Sequence, residues 1–320
     1  MTPRGALRLL SCVGLLAVMV TTACAAKPVT VEVDAGDQLT GLDLACAGLA
    51  AETDVDAILA RGEPAGALAL DIADCLGRQD PHIRDDFAYT SLARLLRAEL
   101  VPEETREQLL VSLSASVDAH AIDTDNGGSG FLHPFAALVL SEVARTDRIA
   151  PWMTDDQRAD IVETGASYVE SVRDYRGFID AEGWRHGVAH GSDLLLQLSL
   201  NPEIGEPEAM RIMAAVGRAI SADEAPAFIF DEPRRLGRPI LYLTQRGLLS
   251  EEMLTSWFEA ISRPAPLASW EGAFSSESAL ARRHNLRAFG YALLVTATES
   301  EDENLKRLRP GALQLLSTIP

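Results

Sequence analysis

The chain has 320 residues, 47% apolar and 23% charged, enough for a large buried core and too apolar for a disordered, collagenous or disulfide-bound mini-scaffold. Its 28 Lys and Arg stand against 47 Asp and Glu, a formal charge of −19 that repels nucleic acid, so no nucleic-acid partner is expected. Length and composition indicate one or two folded domains and name no reaction.

The first residues read as an address. Met1 to Arg8 carries Arg4 and Arg8 without an acid, and Leu9 to Val20 is an apolar run broken only by Ser11 and Gly14. Residues 1–23 therefore have the shape of a signal peptide, with a run shorter than the roughly 20 residues of a membrane span. Thr21-Thr22-Ala23-Cys24 resembles a lipoprotein box, which makes Cys24 the lipidation candidate and the exported protein a cell-membrane lipoprotein, touching the membrane through its lipid anchor only. Ordinary cleavage at the same small residues would leave it secreted or periplasmic. Removing the leader takes away two arginines and deepens the charge from −19 to −21. Cys46 and Cys75 remain as an even pair. They are either two buried thiols or, in an oxidising compartment, one disulfide closing about 30 residues and contributing roughly 3 kcal/mol.

Residues 24–40 are small, polar or alternating and read as a tether; residues 41–320 read as a single all-helical domain. From Gly41 onward apolar residues recur at spacings of three and four, as in Phe87, Leu92, Leu95 and Leu96, or Leu109, Leu110, Leu113 and Val117. Pro102 with Glu103 and Glu104, Thr154 with Asp155 and Asp156, and Pro207 with Glu208 mark helix starts. Breaks are expected at Asp123 to Gly130, Asn201 to Glu206 and Arg263 to Pro266. Asp123-Thr124-Asp125-Asn126-Gly127-Gly128 is not a calcium loop, because Pro134 stands at the twelfth position where a bidentate Glu is required. It reads as a glycine-rich loop before a helix near His133-Pro134. Asp231-Glu232-Pro233-Arg234-Arg235 and His284-Asn285-Leu286-Arg287 read as further charge-paired helix starts. No Asn-Gly hairpin signal separates alternating strands. The fold class is all-α: stacked helical pairs, as a HEAT-like α-solenoid or a closed α/α toroid.

One segment stands apart. In Asp180 to Leu200, read as a helix, Gly183, Gly187 and Gly191 recur every fourth residue at a cost of about 1 kcal/mol each relative to Ala, so something must approach that backbone closely. At about 100° per residue, His186, His190, Asp193 and Gln197 fall in a stripe roughly 60° wide on an otherwise apolar helix. Such a helix is buried, with its stripe facing partners, water or a cavity. Two histidines at i and i+4 with Asp193 a turn on can ligate a divalent transition metal, or one histidine can act as a general base oriented by Asp193, or the three can form an interior hydrogen-bond network. The zinc-protease pattern fails because Gly187 stands where its Glu would be. Just upstream, Arg176 can clamp an anionic substrate or pair with Asp174 or Asp193, and Trp184 can stack on a ligand ring or anchor the turn. Nucleophile-elbow, phosphate-loop and dinucleotide motifs are absent. The functional expectation is a binding module with a buried His/Asp cluster; the alternative is a metal-assisted or His/Asp acid–base hydrolase of the cell envelope.

Asp174-x-Arg176-Gly177-Phe178 followed by Gly183-Trp184-x-His186-Gly187-x-Ala189-His190-Gly191-x-Asp193-Leu194-Leu195 resembles the signature of bacterial domain-of-unknown-function family 2785. Asp80-Pro81-x-Ile83-Arg84-Asp85 with Ala88-Tyr89 is similar to its opening, Phe131-x-His133-Pro134-Phe135 to its middle, and Asn285-Leu286-Arg287-Ala288-Phe289 to its closing helix, over residues 71–297. The resemblance implies an all-helical, repeat-like domain and brings no activity with it.

Overall fold

Thr154 shows how the helices begin. Its hydroxyl accepts the Gln157 N–H at 3.2 Å while the Gln157 side chain accepts the Thr154 N–H at 2.8 Å, a reciprocal cap that satisfies two donors the first turn would leave unpaired. Thr40 and Asp43 make the same closure at the first helix. The computed structural model describes residues 40–52, 54–119 and 130–320; the signal-peptide, tether and Cys24 assignments, and most of the Asp123–Gly130 break, fall outside them.

The protein is all-α. The helices are α1 Gly41–Ala50, α2 Val55–Ala60, α3 Ala65–Ala73, α4 Thr90–Arg97, α5 Glu103–Asp118, α6 Leu132–Ile149 and α7 Asp155–Ser171. They continue as α8 Gly187–Leu200, α9 Glu206–Ile220, α10 Glu232–Gln245, α11 Glu251–Ile261, α12 Glu277–Glu299, α13 Glu303–Lys306 and α14 Leu308–Thr318. A π-helical segment, His82–Tyr89, runs straight into α4, and a 3₁₀ turn, Trp270–Ser275, precedes α12. The starts at Pro102, Thr154, Pro207 and Asp231 hold. His284 does not start a helix: it lies inside α12, which Ser276 caps by accepting the Ala279 N–H at 3.2 Å.

Helices pair and the pairs stack. One layer runs α4, α6, α8, α10, α12, each against the next; α5, α7, α9 and α11 follow one another in a second layer. Between them α5 packs on α6, α7 on α8 and α9 on α10. The central α6 has neighbours on both sides and buries nearly its whole circumference, including Phe135, Ala136, Val139, Leu140 and Val143. At its end, fully buried Asp147 accepts hydrogen bonds from Trp152 N–H at 2.8 Å, Met153 N–H at 2.7 Å, Arg158 Nε at 2.8 Å and Asn201 Nδ2 at 2.7 Å, tying α6 to α7 and to the end of α8. Cys46 and Cys75 form a disulfide that joins α1 to the turn after α3. No helix among the described residues is long and apolar enough to cross a membrane.

The Asp180–Leu200 segment departs from a single helix. Phe178–Ile179 (β1) and Gly183–Trp184 (β2) form a two-stranded antiparallel hairpin, and α8 starts only at Gly187. The turn needs no Asn-Gly because Ala181 itself takes φ 67° and Gly183 φ 82°. Gly183 therefore costs no helix propensity. Gly191 does, and the close neighbour is α7: a Cβ there would lie 2.6 Å from Val169 Cγ1 and 2.8 Å from Tyr168 Cδ1.

Candidate functional site

The hairpin delivers His186 to the start of α8. Beyond β1 and β2 the pairing continues, with Arg185 N–H donating to the Gly177 carbonyl at 3.0 Å and His186 N–H to the Arg176 carbonyl at 3.1 Å. His186 then caps α8 at φ 57° and ψ 36°, a left-handed conformation that costs a non-glycine residue of order 1–3 kcal/mol. Its ring stacks on Trp184, 4.5 Å between centroids and 16° between planes, and its Nε2 donates to the Phe230 carbonyl at 3.1 Å. Phe230 precedes Asp231, which caps α10 at φ 74°. Two strained non-glycine residues thus sit at the starts of adjacent helices, linked by that hydrogen bond. Gly177 is required there, because a side chain would collide with the Phe230 ring.

His190 lies one turn into α8, its ring 5.7 Å from that of His186 and edge-on to Phe135 at 5.1 Å. Its Nδ1 is buried and, among the described residues, has no hydrogen-bond partner. Burial, reinforced by neighbouring His186 and Arg235, lowers the His190 pKa to about 3 against a weaker pull from the Pro134 carbonyl. Burial likewise lowers His186 to about 4, opposed by its bond to Phe230. Both imidazoles are neutral at pH 7. Buried Glu232 places Oε1 3.8 Å from His186 Nε2 and accepts the Phe230 N–H at 2.9 Å; burial raises its carboxyl pKa.

The other candidates separate from the histidines. Asp193 pairs with Arg235 and lies 3.8 Å from Arg238, both on α10; burial raises its pKa while the two guanidiniums oppose that rise. It orients neither imidazole. Gln197 accepts from Arg148 Nε at 3.2 Å. Arg176 pairs with Asp174 (Nε to Oδ1, 2.7 Å), and Arg185 Nε lies 3.9 Å from the same carboxylate. Among the described residues no three His, Cys, Asp or Glu side chains come together to hold a metal, so His186, His190 and Asp193 do not form the ligand set their spacing suggested.

Several residues at the site carry no local signal in the chain. Arg84 is fully buried, donating to the Arg78 and Gln79 carbonyls at 3.0 Å and to the Glu182 carbonyl at 2.9 Å, with its guanidinium 3.7 Å from the Phe131 ring centroid. Arg185 lies over the same ring at 4.2 Å. These arginines fasten the hairpin to the π-helical segment and to the start of α6. A readable signal does exist for a second group: like-charged Arg-x-x-Arg pairs at Arg145/Arg148 and Arg235/Arg238. Residues three apart are neighbours on a helix, so each pair repels unless something negative lies between or above it.

No curated protein and no solved structure matches the chain. One family model does, over residues 119–295, which takes in the Phe131–Phe135 piece, the hairpin, α8 and Asn285–Phe289, and leaves Asp80–Tyr89 outside. The chain belongs to the family described as "Protein of unknown function (DUF2785)".

Proposed function

We propose that the protein is an exported, lipid-anchored binding module that takes a small ligand on its α6–α8–α10 layer, against Trp184, His186 and His190. The observation that carries this reading is His190 Nδ1, buried without a partner among the described residues. Such a group costs about 1–3 kcal/mol, and a ligand donor would recover it. The left-handed caps at His186 and Asp231 add strain at the same place, as binding sites often do. Trp184 stays 37% exposed over His186 and offers a ring face. The leader, Cys24 and the Cys46–Cys75 disulfide support a site of action outside the reducing cytosol.

A hydrolase would rest on Glu232 beside His186. The chemistry is unfavourable: imidazoles at about 3 and 4 are weak bases at neutral pH, and Asp193 is committed to arginine.

The test is a titration of the purified protein with a hydroxyl- and amide-bearing fragment set, following Trp184 emission. At least one fragment should change the emission, and the change should vanish in Trp184→Phe and His190→Leu. If no fragment alters it, the binding reading fails. For the compartment, Cys24→Ala should release the protein from the membrane fraction; retention there contradicts the anchor.

A further inference from the structure

Arg145 and Arg148 on α6 and Arg235 and Arg238 on α10 lie on the two helices that flank α8. With Arg97 on α4 they make, among the described residues, five guanidiniums beside two carboxylates, Glu142 and Asp193. Both carboxylates are already engaged: Glu142 accepts from Arg97 Nε at 2.8 Å and from its Nη2, and Asp193 is paired with Arg235. Among the described residues, the Arg148 side chain meets the neutral oxygen of Gln197, and the Arg145 side chain makes neither a hydrogen bond nor an ion pair. Burial and the Arg145 charge lower the Arg148 pKa, while Glu142 and the nearby Tyr242 work the other way. In a chain of net charge −19, an excess of three positive charges on one half-buried face is a local decision. It opposes helix stability, since like charges a turn apart repel and partly buried guanidiniums lose hydration. Such a conflict between local stability and fold marks a place where something is bound.

We propose that this face binds a small ligand carrying two or more phosphate or carboxylate groups, held by Arg145, Arg148 and Arg238 with Gln197 and Tyr242 beside them. Arginine suits the task because its planar fork donates two parallel hydrogen bonds to either oxyanion. The proposal rests on the reading of this layer as ligand-binding and adds to it an anion subsite at the Gln197 end of α8, eleven residues along the chain from His186.

The test is calorimetric titration of the purified protein at low ionic strength with inorganic pyrophosphate and with citrate. One of the two should bind saturably, and the tighter one distinguishes phosphate from carboxylate. Arg145→Met and Arg148→Met should each weaken binding about tenfold or more, Arg148→Lys should fall between, and Arg173→Met, whose side chain meets Glu224, Tyr175 and the Glu170 and Val172 carbonyls, should bind as the parent does. Without ligand, Arg145→Met should melt no lower than the parent, whereas an arginine kept for structure would lower the melting temperature. Absence of saturable binding by both probes while fragments still change Trp184 emission overturns the oxyanion assignment alone. Loss of both signals overturns the binding reading as well. Saturable binding indifferent to Arg145→Met and Arg148→Met also overturns the assignment, by placing the anion elsewhere.

Discussion

Trp184 and His186 lie ring on ring, two residues apart, because β2 ends in an extended strand and His186 turns left-handed before α8 begins. The indole therefore covers one face of an imidazole whose Nε2 is held by the Phe230 carbonyl. Removing the indole lets water reach His186. In Trp184→Ala the His186 pKa should rise from about 4 toward its ordinary value while His190, deeper in α8, stays low. An NMR pH titration of the imidazole signals reads both at once.

The same two histidines make stability depend on pH. Folding holds them at about 4 and about 3, against about 6.5 in an unfolded chain. Between pH 6.5 and 4 the unfolded state binds more protons than the folded one, so stability rises with pH and is lost as pH falls through that window. The slope is about 1.4 kcal/mol per pH unit for each imidazole. Denaturant melts at pH 7, 6 and 5 should show this loss, and His190→Leu should flatten it.

Asp147 is the buried anion on which the α6–α7–α8 junction closes. Burial would raise its pKa, but hydrogen bonds from Arg158, Met153, Trp152 and Asn201 outweigh that and hold it below the ordinary carboxylate value. Asp147→Ala leaves buried Arg158 with the solvent-exposed Asp155 carboxylate in place of its buried partner. The expected loss is about 3–5 kcal/mol in chemical denaturation, against the zero to one typical of an exposed pair such as Arg61–Glu52. Because the folded carboxyl is depressed, its contribution is present at neutral pH and disappears as acid protonates it.

Gly191 and Gly187 separate a packing requirement from a permissive position. A Cβ at Gly191 would press into Val169 and Tyr168 of α7, whereas at Gly187 the nearest atom is the Tyr168 hydroxyl at 3.2 Å. Gly191→Ala should cost about 1–3 kcal/mol by overpacking, and Gly187→Ala much less. Thermal denaturation of the two variants side by side checks the contrast.

Helix starts are legible in the chain because capping is local: Thr154 and Gln157, or Gly205 and Glu208, satisfy donors within four residues. The all-α class follows from the same periodicity. The hairpin at residues 178–184 is not legible, since Ala181 takes a conformation that Asn or Gly usually supplies, and its turn is held by Arg84, 98 residues from Glu182. At the site, the chain shows His186 and His190 near one another. A helical wheel also puts Asp193 with them, yet its partner is Arg235, 42 residues on, and His186 lies outside the regular helix. Long-range pairing and one left-handed residue decide the site, and neither has a periodic signature.

The most direct measurement is a long-range proton–nitrogen correlation spectrum of the His190 imidazole at pH 7, without ligand and then with a fragment that changes Trp184 emission. The expected spectrum shows an unprotonated Nδ1, hydrogen on Nε2 only, no titration down to pH 5, and an Nδ1 shift when the fragment is added. A protonated Nδ1, or an imidazole titrating near neutrality, would contradict the account, because His190 would then be a satisfied interior group or a working acid–base catalyst.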